Sequence, residues 1–248
     1  MDQEERRARY AELRPGWRPS PTIYRELITE RLTPEARVLD VGCGRSELLT
    51  DELAHVRRAV GIDPDVASLA KNDVLSQRIA ATAERLPFGP ASFDLVTMAW
   101  VVEHLDRPVR VFREIHRVLD AGGRVVFVTP NAWNYNAWLI RAVPNVLHPV
   151  LTRRLYGREA GDTFPTRYRF NTPGVIDRTL RRIGFVPERV VLNGDPTYVA
   201  VTEPLFRLAV RLEHLYDLPL LRRARVHVLG VYRKGPRPAE PAGVRHRG

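Results

Sequence analysis

Short apolar strands alternate with amphipathic helices over the first half of the chain, and this alternation constrains the fold more than any other feature. Runs typical of buried strands begin at Ala36, Ala59 and Phe93, and each is followed by a helical pattern. Strands that alternate with helices pair in parallel, because each helix carries the chain back across a face of the sheet. The sequence therefore predicts an α/β fold, a three-layer, doubly wound and mostly parallel sheet.

The alternation is interrupted after Thr129 and resumes near Thr172. Prolines and glycines end any helix within 15–21, and the last residues contain too few apolar side chains to order themselves. We therefore expect an N-terminal helical cap (1–36), a core (37–131), a substrate-side insertion (132–170), the rest of the core (171–233, with a helical insertion at 194–225) and a disordered tail (234–248).

Composition limits the class of protein. No apolar run reaches the ~18 to 20 residues that a membrane-spanning helix needs. The first ten residues are charged and do not resemble a secretory signal. The single cysteine, Cys43, rules out an intrachain disulfide and favours a reducing compartment, so we expect a cytoplasmic protein. The histidines and Cys43 show no metal-ligand spacing, and no metal is expected.

Positive charge is concentrated in the second half of the chain. Residues 1–131 hold 19 basic and 20 acidic side chains, whereas residues 132–248 hold 20 basic and 9 acidic ones. An arginine-rich composition explains why there are only two lysines, but it does not explain this segregation. Two explanations remain open: the basic half faces an anionic substrate or surface, or its arginines are simply solvated.

The stretch "VLDVGCGRSELL" (38–49) runs from a strand through a glycine turn into a helix. Gly42 and Gly44 allow backbone to approach a ligand closely. Asp63 ends the next strand, where a carboxylate can accept hydrogen bonds from both hydroxyls of a ribose. These features describe a dinucleotide site as well as a site for another adenosyl compound.

Two details favour S-adenosylmethionine over a phosphate-bearing ligand. Glu47 stands where a dinucleotide turn has its third glycine, and its carboxylate at a helix N-terminus would repel a pyrophosphate. The phosphate-binding motif G-x4-G-K-[ST] is also missing. S-adenosylmethionine carries no phosphate, so Glu47 is compatible with it.

Five motifs then follow in order: "VLDVGCG", "VGIDPD", "AERLPFGPASFDLV", "VVEHLDRP" and "REIHRVLDAGGRVVFVTPN". Together they resemble the class I S-adenosylmethionine-dependent methyltransferases, and especially the group that includes ubiquinone- and menaquinone-pathway methyltransferases. The resemblance covers 36–131 continuously and 171–193 more loosely. It implies a Rossmann-like, seven-stranded sheet of order 3-2-1-4-5-7-6 with an antiparallel last strand.

The resemblance also implies how the cofactor is held. The glycine turn would line the methionine and sulfonium, and Asp63 would bind the ribose. Thr82 stands where the family usually has an aspartate for the adenine amino group, and Ser46 replaces a common third glycine. Trp100 would cover the cofactor or substrate, or simply pack. The expected cofactor-binding residues are Asp40, Gly42, Cys43, Gly44, Asp63, Pro64, Thr82, Ala83 and Trp100.

Methyl transfer needs an in-line arrangement, and an oxygen or nitrogen acceptor can also need a base. His104 follows the fourth strand and is the candidate base or substrate ligand; the alternative is a loop histidine bonded to backbone. Glu103 and His104 alone are too few ligands for a catalytic metal. The expected substrate-side residues are Asn131, Trp133, Tyr135, Arg167, Tyr168 and Arg169.

The expected acceptor is a small molecule, lipid-linked compound or glycan, methylated at oxygen and anionic if the arginines face it. An RNA methyltransferase and a non-catalytic S-adenosylmethionine-binding scaffold are the alternatives, although the arginines match no RNA-binding module that we recognise. The amphipathic helix predicted at 203–216 is expected to bury its apolar face against the protein, with peripheral membrane contact left open.

Overall fold

The computed structural model describes residues 3–45, 47–135, 166–198 and 202–236, and within them seven strands form one sheet. The strand order is 3-2-1-4-5-7-6, and β7 is antiparallel to both of its neighbours, which confirms the expected fold. The strands are β1 (Arg37–Val41), β2 (Arg58–Asp63), β3 (Gln77–Ala80), β4 (Phe93–Ala99), β5 (Leu119–Pro130), β6 (Phe185–Asn193) and β7 (His227–Lys234).

Helices flank both faces of the sheet. In the described ranges, none of them combines the length and apolar character that crossing a bilayer requires. In the part of the chain that the structure describes, single 3₁₀ turns cover Glu47–Leu49, Val102–His104, Pro196–Tyr198 and Arg222–Ala224. The α-helices among the described residues are α1 (Gln3–Leu13), α2 (Ser20–Thr29), α3 (Thr50–Ala54), α4 (Val66–Ala70), α5 (Pro108–Val118), α6 (Pro173–Ile183) and α7 (Glu203–Leu215).

Each face of the sheet has its own apolar core. On one face, α5 and α6 contribute Phe112 and Leu180, both fully buried. On the other face, α2 and α3 contribute Leu27 and Leu53. Burying each such side chain contributes roughly 1.5 to 3 kcal/mol. The two packed faces leave the strand ends as the places where side chains and backbone can meet a ligand.

Asp94 lies at the amino end of β4. Its carboxylate accepts hydrogen bonds from the Arg37 backbone N–H (2.9 Å) and guanidinium (2.6 Å), and Arg37 also pairs with Asp120. The hydrogen bond from Arg37 is the main reason that the pKa of Asp94 lies below its usual value. This ionic group ties β1, β4 and β5 together at the edge opposite the glycine turn.

The N-terminal helix and α7 pack against each other near the end of β6. Tyr10 and Phe206 are buried together, and the Tyr10 ring meets Trp17 edge-on with 4.8 Å between centroids. The Trp17 indole N–H donates to the Gly194 carbonyl oxygen (2.6 Å), just beyond β6. The two helices therefore form one layer at the carboxyl ends of the strands.

Candidate functional site

The glycine turn after β1 is anchored on β2. The N–H groups of Gly42 and Cys43 both donate to the Ile62 carbonyl oxygen, at 2.8 and 3.0 Å. Gly42 has a φ of +69°, and a Cβ there would overlap the side chain of Val101. Gly44 has a φ of +46° and open space where its Cβ would lie. Backbone without side chains is therefore exposed on the open side of the turn.

Asp63 connects the end of β2 to this turn. Its Oδ2 accepts the Gly44 N–H (2.9 Å) and its Oδ1 accepts the Asp65 N–H (2.8 Å). The residue is 6% exposed. Each carboxylate oxygen retains capacity for a second hydrogen bond. Asp63 therefore holds the turn in place and keeps acceptor sites for a polar ligand beside Gly44.

Asn72 completes the support of the turn, and sequence reasoning missed it. It is fully buried, its amide Nδ2 donates to the Gly44 carbonyl oxygen (2.9 Å), and its Oδ1 accepts the N–H groups of Val74 and Leu75. An asparagine beyond a short helix looks like an ordinary turn residue in the sequence. Only the folded chain shows that it reaches Gly44.

Asp40 and Cys43 contribute to the turn in different ways. Asp40, 6% exposed, accepts a hydrogen bond from the Thr97 hydroxyl (2.8 Å). Burial, and secondarily the charge of Asp40, raises the pKa of Tyr24 well above its usual value. The Cys43 thiol instead packs into the core, where a Cβ on Gly61 would lie 2.6 Å from Sγ. Cys43 therefore presents only its backbone to the turn.

The residues expected beside adenine lie next to Asp63. The Ala81 N–H donates to the Asp63 carbonyl oxygen (3.2 Å). This hydrogen bond holds the chain that leaves β3 beside the end of β2. Thr82 and Pro64 are exposed there, and Ala83 is half-buried. The structure thus brings these expected cofactor residues to the same edge as the glycine turn.

Trp100 directly follows β4 and has a φ of +58°, a sparsely populated conformation for a large side chain. Its ring meets His227 edge-on, with 4.8 Å between centroids. Asn193 donates to the Ser20 hydroxyl oxygen (2.9 Å), and the same hydroxyl group shares a hydrogen bond with His227 Nδ1 (2.9 Å). Burial lowers the pKa of His227 to about 3, so the imidazole that Trp100 contacts is neutral.

Glu103 and His104 occupy the 3₁₀ turn after β4. Glu103 is 4% exposed, and its Oε2 accepts a hydrogen bond from the Thr129 hydroxyl (3.0 Å), which itself accepts one from Asn171 Nδ2 (2.6 Å). His104 is partly exposed, with Nε2 4.0 Å from Glu103 Oε1. Glu103, which sequence reasoning considered only as a metal ligand, therefore links β4, β5 and 167–171 beside the candidate base.

Three of the expected substrate-side residues directly follow β5 in the chain. Asn131 donates through Nδ2 to the carbonyl oxygens of Arg223 (2.7 Å) and Arg225 (2.8 Å), so its amide holds backbone. Trp133 is 48% exposed. Tyr135 stacks on Tyr216 with 6.4 Å between ring centroids.

The other three lie against the turn that carries His104. The N–H groups of Arg167 and Tyr168 donate to the Glu103 carbonyl oxygen, at 2.7 and 3.2 Å. The guanidinium groups of Arg167 and Arg169 bind the carboxylate and carbonyl oxygens of Asp106, each at 3.1 Å. The expected substrate-side residues therefore form two groups. Ser46 and most of the first insertion (136–165) fall outside the described residues.

A buried carboxyl group lies in the layer formed by α1 and α7. Glu213 is 1% exposed, and in the described structure neither of its carboxylate oxygens has a hydrogen-bond partner. A Cβ on Gly194 would overlap it. Burial raises the pKa of Glu213 to about 7, with Arg225 lowering it and Asp195 raising it. Across the described ranges, no three His, Cys, Asp or Glu side chains are grouped as metal ligands.

Comparison with known sequences identifies the segment that contains the glycine turn. Residues 39–127 match a family model described as a methyltransferase domain. Demethylmenaquinone methyltransferase from Mycobacterium tuberculosis is 31% identical over 128 residues, which cover 48% of this chain and 55% of that protein. The chain spans about half the length of the curated relatives that it matches first.

Comparison with solved structures supports the fold over most of the chain. An S-adenosylmethionine-dependent methyltransferase from Mesorhizobium loti has a TM-score of 0.55 and 20% identity, covering 84% of this chain and 96% of that one. The [4+2]-cyclase SpnF has a TM-score of 0.57 and 20% identity, covering 87% and 80%. At this identity the likeness shows the fold alone, and the reaction has to be argued from the site.

Proposed function

We propose that this chain transfers a methyl group from S-adenosylmethionine to a small-molecule, lipid-linked or glycan acceptor at oxygen. Residues 39–127, which match the methyltransferase-domain model, would bind the cofactor. One observation carries the proposal. Both Asp63 carboxylate oxygens are fixed by backbone N–H groups beside Gly44, whose missing side chain leaves open space.

The residues at the turn fit an adenosyl sulfonium. The carboxylate of Asp63 retains acceptor capacity for ribose hydroxyls, and the half-buried backbone of Gly42 and Gly44 would line the methionine part. Thr82 and Ala83 follow the end of β3, whose last residue, Ala80, pairs with Asp63, and the adenine ring would lie there. Glu47 opens the 3₁₀ turn after the glycines, and its charge disfavours a diphosphate there.

S-adenosylmethionine supplies an activated methyl group when it is bound. The protein has to orient the acceptor behind that methyl, and such positioning supplies on the order of 7 to 11 kcal/mol. In this proposal His104, at the carboxyl end of β4, takes the proton from the acceptor hydroxyl. Glu103 stays beside it because Thr129 and the backbone of 167–168 hold it there.

Calorimetric titration with S-adenosylmethionine and S-adenosylhomocysteine tests the cofactor assignment. Asp63→Ala should weaken binding at least about tenfold, because it removes charge-assisted hydrogen bonds worth ~1.5 to 3 kcal/mol each. Asp63→Asn, which keeps one acceptor oxygen, should lie between. The matched control is Asp120→Ala, which removes a carboxylate at the opposite edge of the sheet and should bind like the unaltered chain.

Absence of binding by the unaltered protein would refute the proposal, and so would unchanged binding by a folded Asp63→Ala variant. A protein that binds the cofactor but transfers no methyl to small molecules, lipid extracts or glycans would be a scaffold. Methylation of RNA, with binding that weakens steeply as salt rises, would identify the RNA alternative.

A further inference from the structure

α7 exposes leucines on the side that faces away from the protein. Its inward face buries Phe206 and Ala209, but Leu208 and Leu215 are 52% and 51% exposed. The expectation that this helix buries its apolar face therefore holds for Phe206 and Ala209 but not for Leu205, Leu208 and Leu215. The exposed leucines of α7 and of the turn that follows it, called the leucine surface below, are Leu205, Leu208, Leu215, Leu218, Leu220 and Leu221.

The spacing of these residues explains why they form one surface. Leu205, Leu208 and Leu215 are separated by three and seven positions, which places them along one side of a helix. Leu218 (54% exposed) and Leu220 (91% exposed) continue the surface beyond the end of α7. A group of exposed large apolar side chains of this kind typically marks an interaction site.

Unpaired arginines border the leucine surface. Arg211, Arg222 and Arg223 are exposed, and in the part of the chain that the structure describes none of them forms an ion pair. The acidic residues of the same stretch are unavailable to them. Glu203 pairs with Arg9 and Arg207, Asp217 pairs with Arg14 and Arg225, and Glu213 is buried. The solvent-facing side therefore combines apolar side chains with net positive charge.

The leucine surface is attached directly to the edge of the sheet that carries the candidate site. Asn131, immediately after β5, holds the carbonyl oxygens of Arg223 and Arg225, and Asn134 donates to that of Ala224 (2.7 Å). Half-exposed Trp133 lies between these two asparagines in the chain. An object bound to the leucine surface would therefore lie beside the carboxyl ends of β4 and β5.

We propose that the leucine surface docks on an anionic lipid bilayer and that the acceptor is an amphiphile taken from that bilayer; the second part rests on the proposed function. In this arrangement the leucines insert among the acyl chains while Arg211, Arg222 and Arg223 contact lipid phosphates. An interfacial helix binds in this way, through buried apolar area together with attraction to anionic headgroups. Each arginine near such a surface adds to this attraction.

Co-sedimentation with vesicles tests the docking. The protein should bind vesicles of phosphatidylcholine mixed with phosphatidylglycerol, and should bind phosphatidylcholine alone more weakly. The variant Leu208→Ser/Leu215→Ser/Leu220→Ser should bind at least about tenfold more weakly, since three inserted leucines are lost. Because all three side chains are exposed, the fold should persist. The matched control is Val190→Ser, which removes an exposed apolar side chain from β6.

The arginines are tested separately. Arg211→Gln/Arg222→Gln/Arg223→Gln should weaken binding to the anionic vesicles and leave the weak binding to phosphatidylcholine unchanged. For the acceptor, S-adenosylmethionine with a labelled methyl group is incubated with vesicles made from a total lipid extract. Label should enter the organic phase, and less of it should do so with the leucine variant. Label confined to water-soluble products would overturn the acceptor assignment.

The two proposals fail in different ways. A protein that binds S-adenosylhomocysteine but no vesicles overturns the docking and leaves the methyltransferase proposal intact. A protein that binds vesicles but no cofactor overturns the methyltransferase proposal and leaves the docking intact. If sedimentation without lipid shows a dimer that the leucine variant abolishes, the leucine surface joins two copies of the chain and membrane docking is refuted.

Discussion

The buried carboxyl group of Glu213 should make the protein less stable as the pH rises from about 4.5 to about 7. The group is 1% exposed, and within the described structure both of its oxygens lack hydrogen-bond partners. Burial is the main reason that its pKa is raised from 4.5 to about 7; Arg225 opposes this effect and Asp195 adds to it. The carboxyl group is therefore protonated in the folded state under conditions where it is ionised in the unfolded state.

The sign and size of the effect follow from proton linkage. Between the two pKa values the unfolded chain binds fewer protons than the folded one, so the free energy of unfolding falls as pH rises. Below about pH 4.5 both states are protonated, and no penalty remains. Above about pH 7 both are ionised, and the full cost of holding the buried charge is about 3 kcal/mol.

Glu213→Gln should remove this cost because the amide is neutral and nearly the same shape. Urea unfolding at pH 5, 6, 7 and 8 should show a variant similar to the unaltered protein near pH 5 and more stable by about 3 kcal/mol at pH 8. The matched control is Glu12→Gln, an exposed glutamate of α1. A stability difference that is the same at pH 5 and pH 8, or a variant that is less stable at pH 8, would refute the reasoning.

Three further outcomes are expected. Burial lowers the pKa of His227 to about 3, so between about pH 6.5 and pH 3 only the unfolded chain binds a proton on this residue, and the free energy of unfolding falls as the pH falls. His227→Asn should make the free energy of unfolding less dependent on pH in this range. Unfolding curves at pH 4 to 7 check this, and an unchanged pH dependence contradicts it. Gly42→Ala should lower the free energy of unfolding by about 1 to 3 kcal/mol and weaken cofactor binding. Adding Val101→Ala to this variant should partly restore cofactor binding. Calorimetry with the single and the double variant decides whether the overlap with Val101, rather than the positive φ alone, causes the loss. Glu103→Gln, which keeps an oxygen to accept the Thr129 hydroxyl, should lower kcat and shift the pH profile of kcat with little change in cofactor affinity. A loss of cofactor binding would instead show that Glu103 supports the glycine turn.

The sequence by itself determined the sheet and the position of the turn. Apolar periodicity reports which side of each element is buried, so it predicted strands and helices that alternate, and hence a parallel sheet. The sequence also predicted the roles of Gly42, Gly44 and Asp63, because these residues lie at or just after strand ends. The carboxyl ends of neighbouring parallel strands meet at one edge of the sheet. These inferences need only the local pattern and the rules for connecting neighbouring elements.

Only the tertiary structure decided which side chains support the site and which remain in solvent. Asn72 reaches Gly44, Glu103 receives Thr129, and the Cys43 thiol turns into the core, although none of these contacts has a local signature. The helical pattern of α7 showed apolar residues but not that Phe206 is buried while Leu208 is left exposed. Local periodicity records the burial of one element, whereas these outcomes depend on which distant elements pack together and how far their surfaces extend.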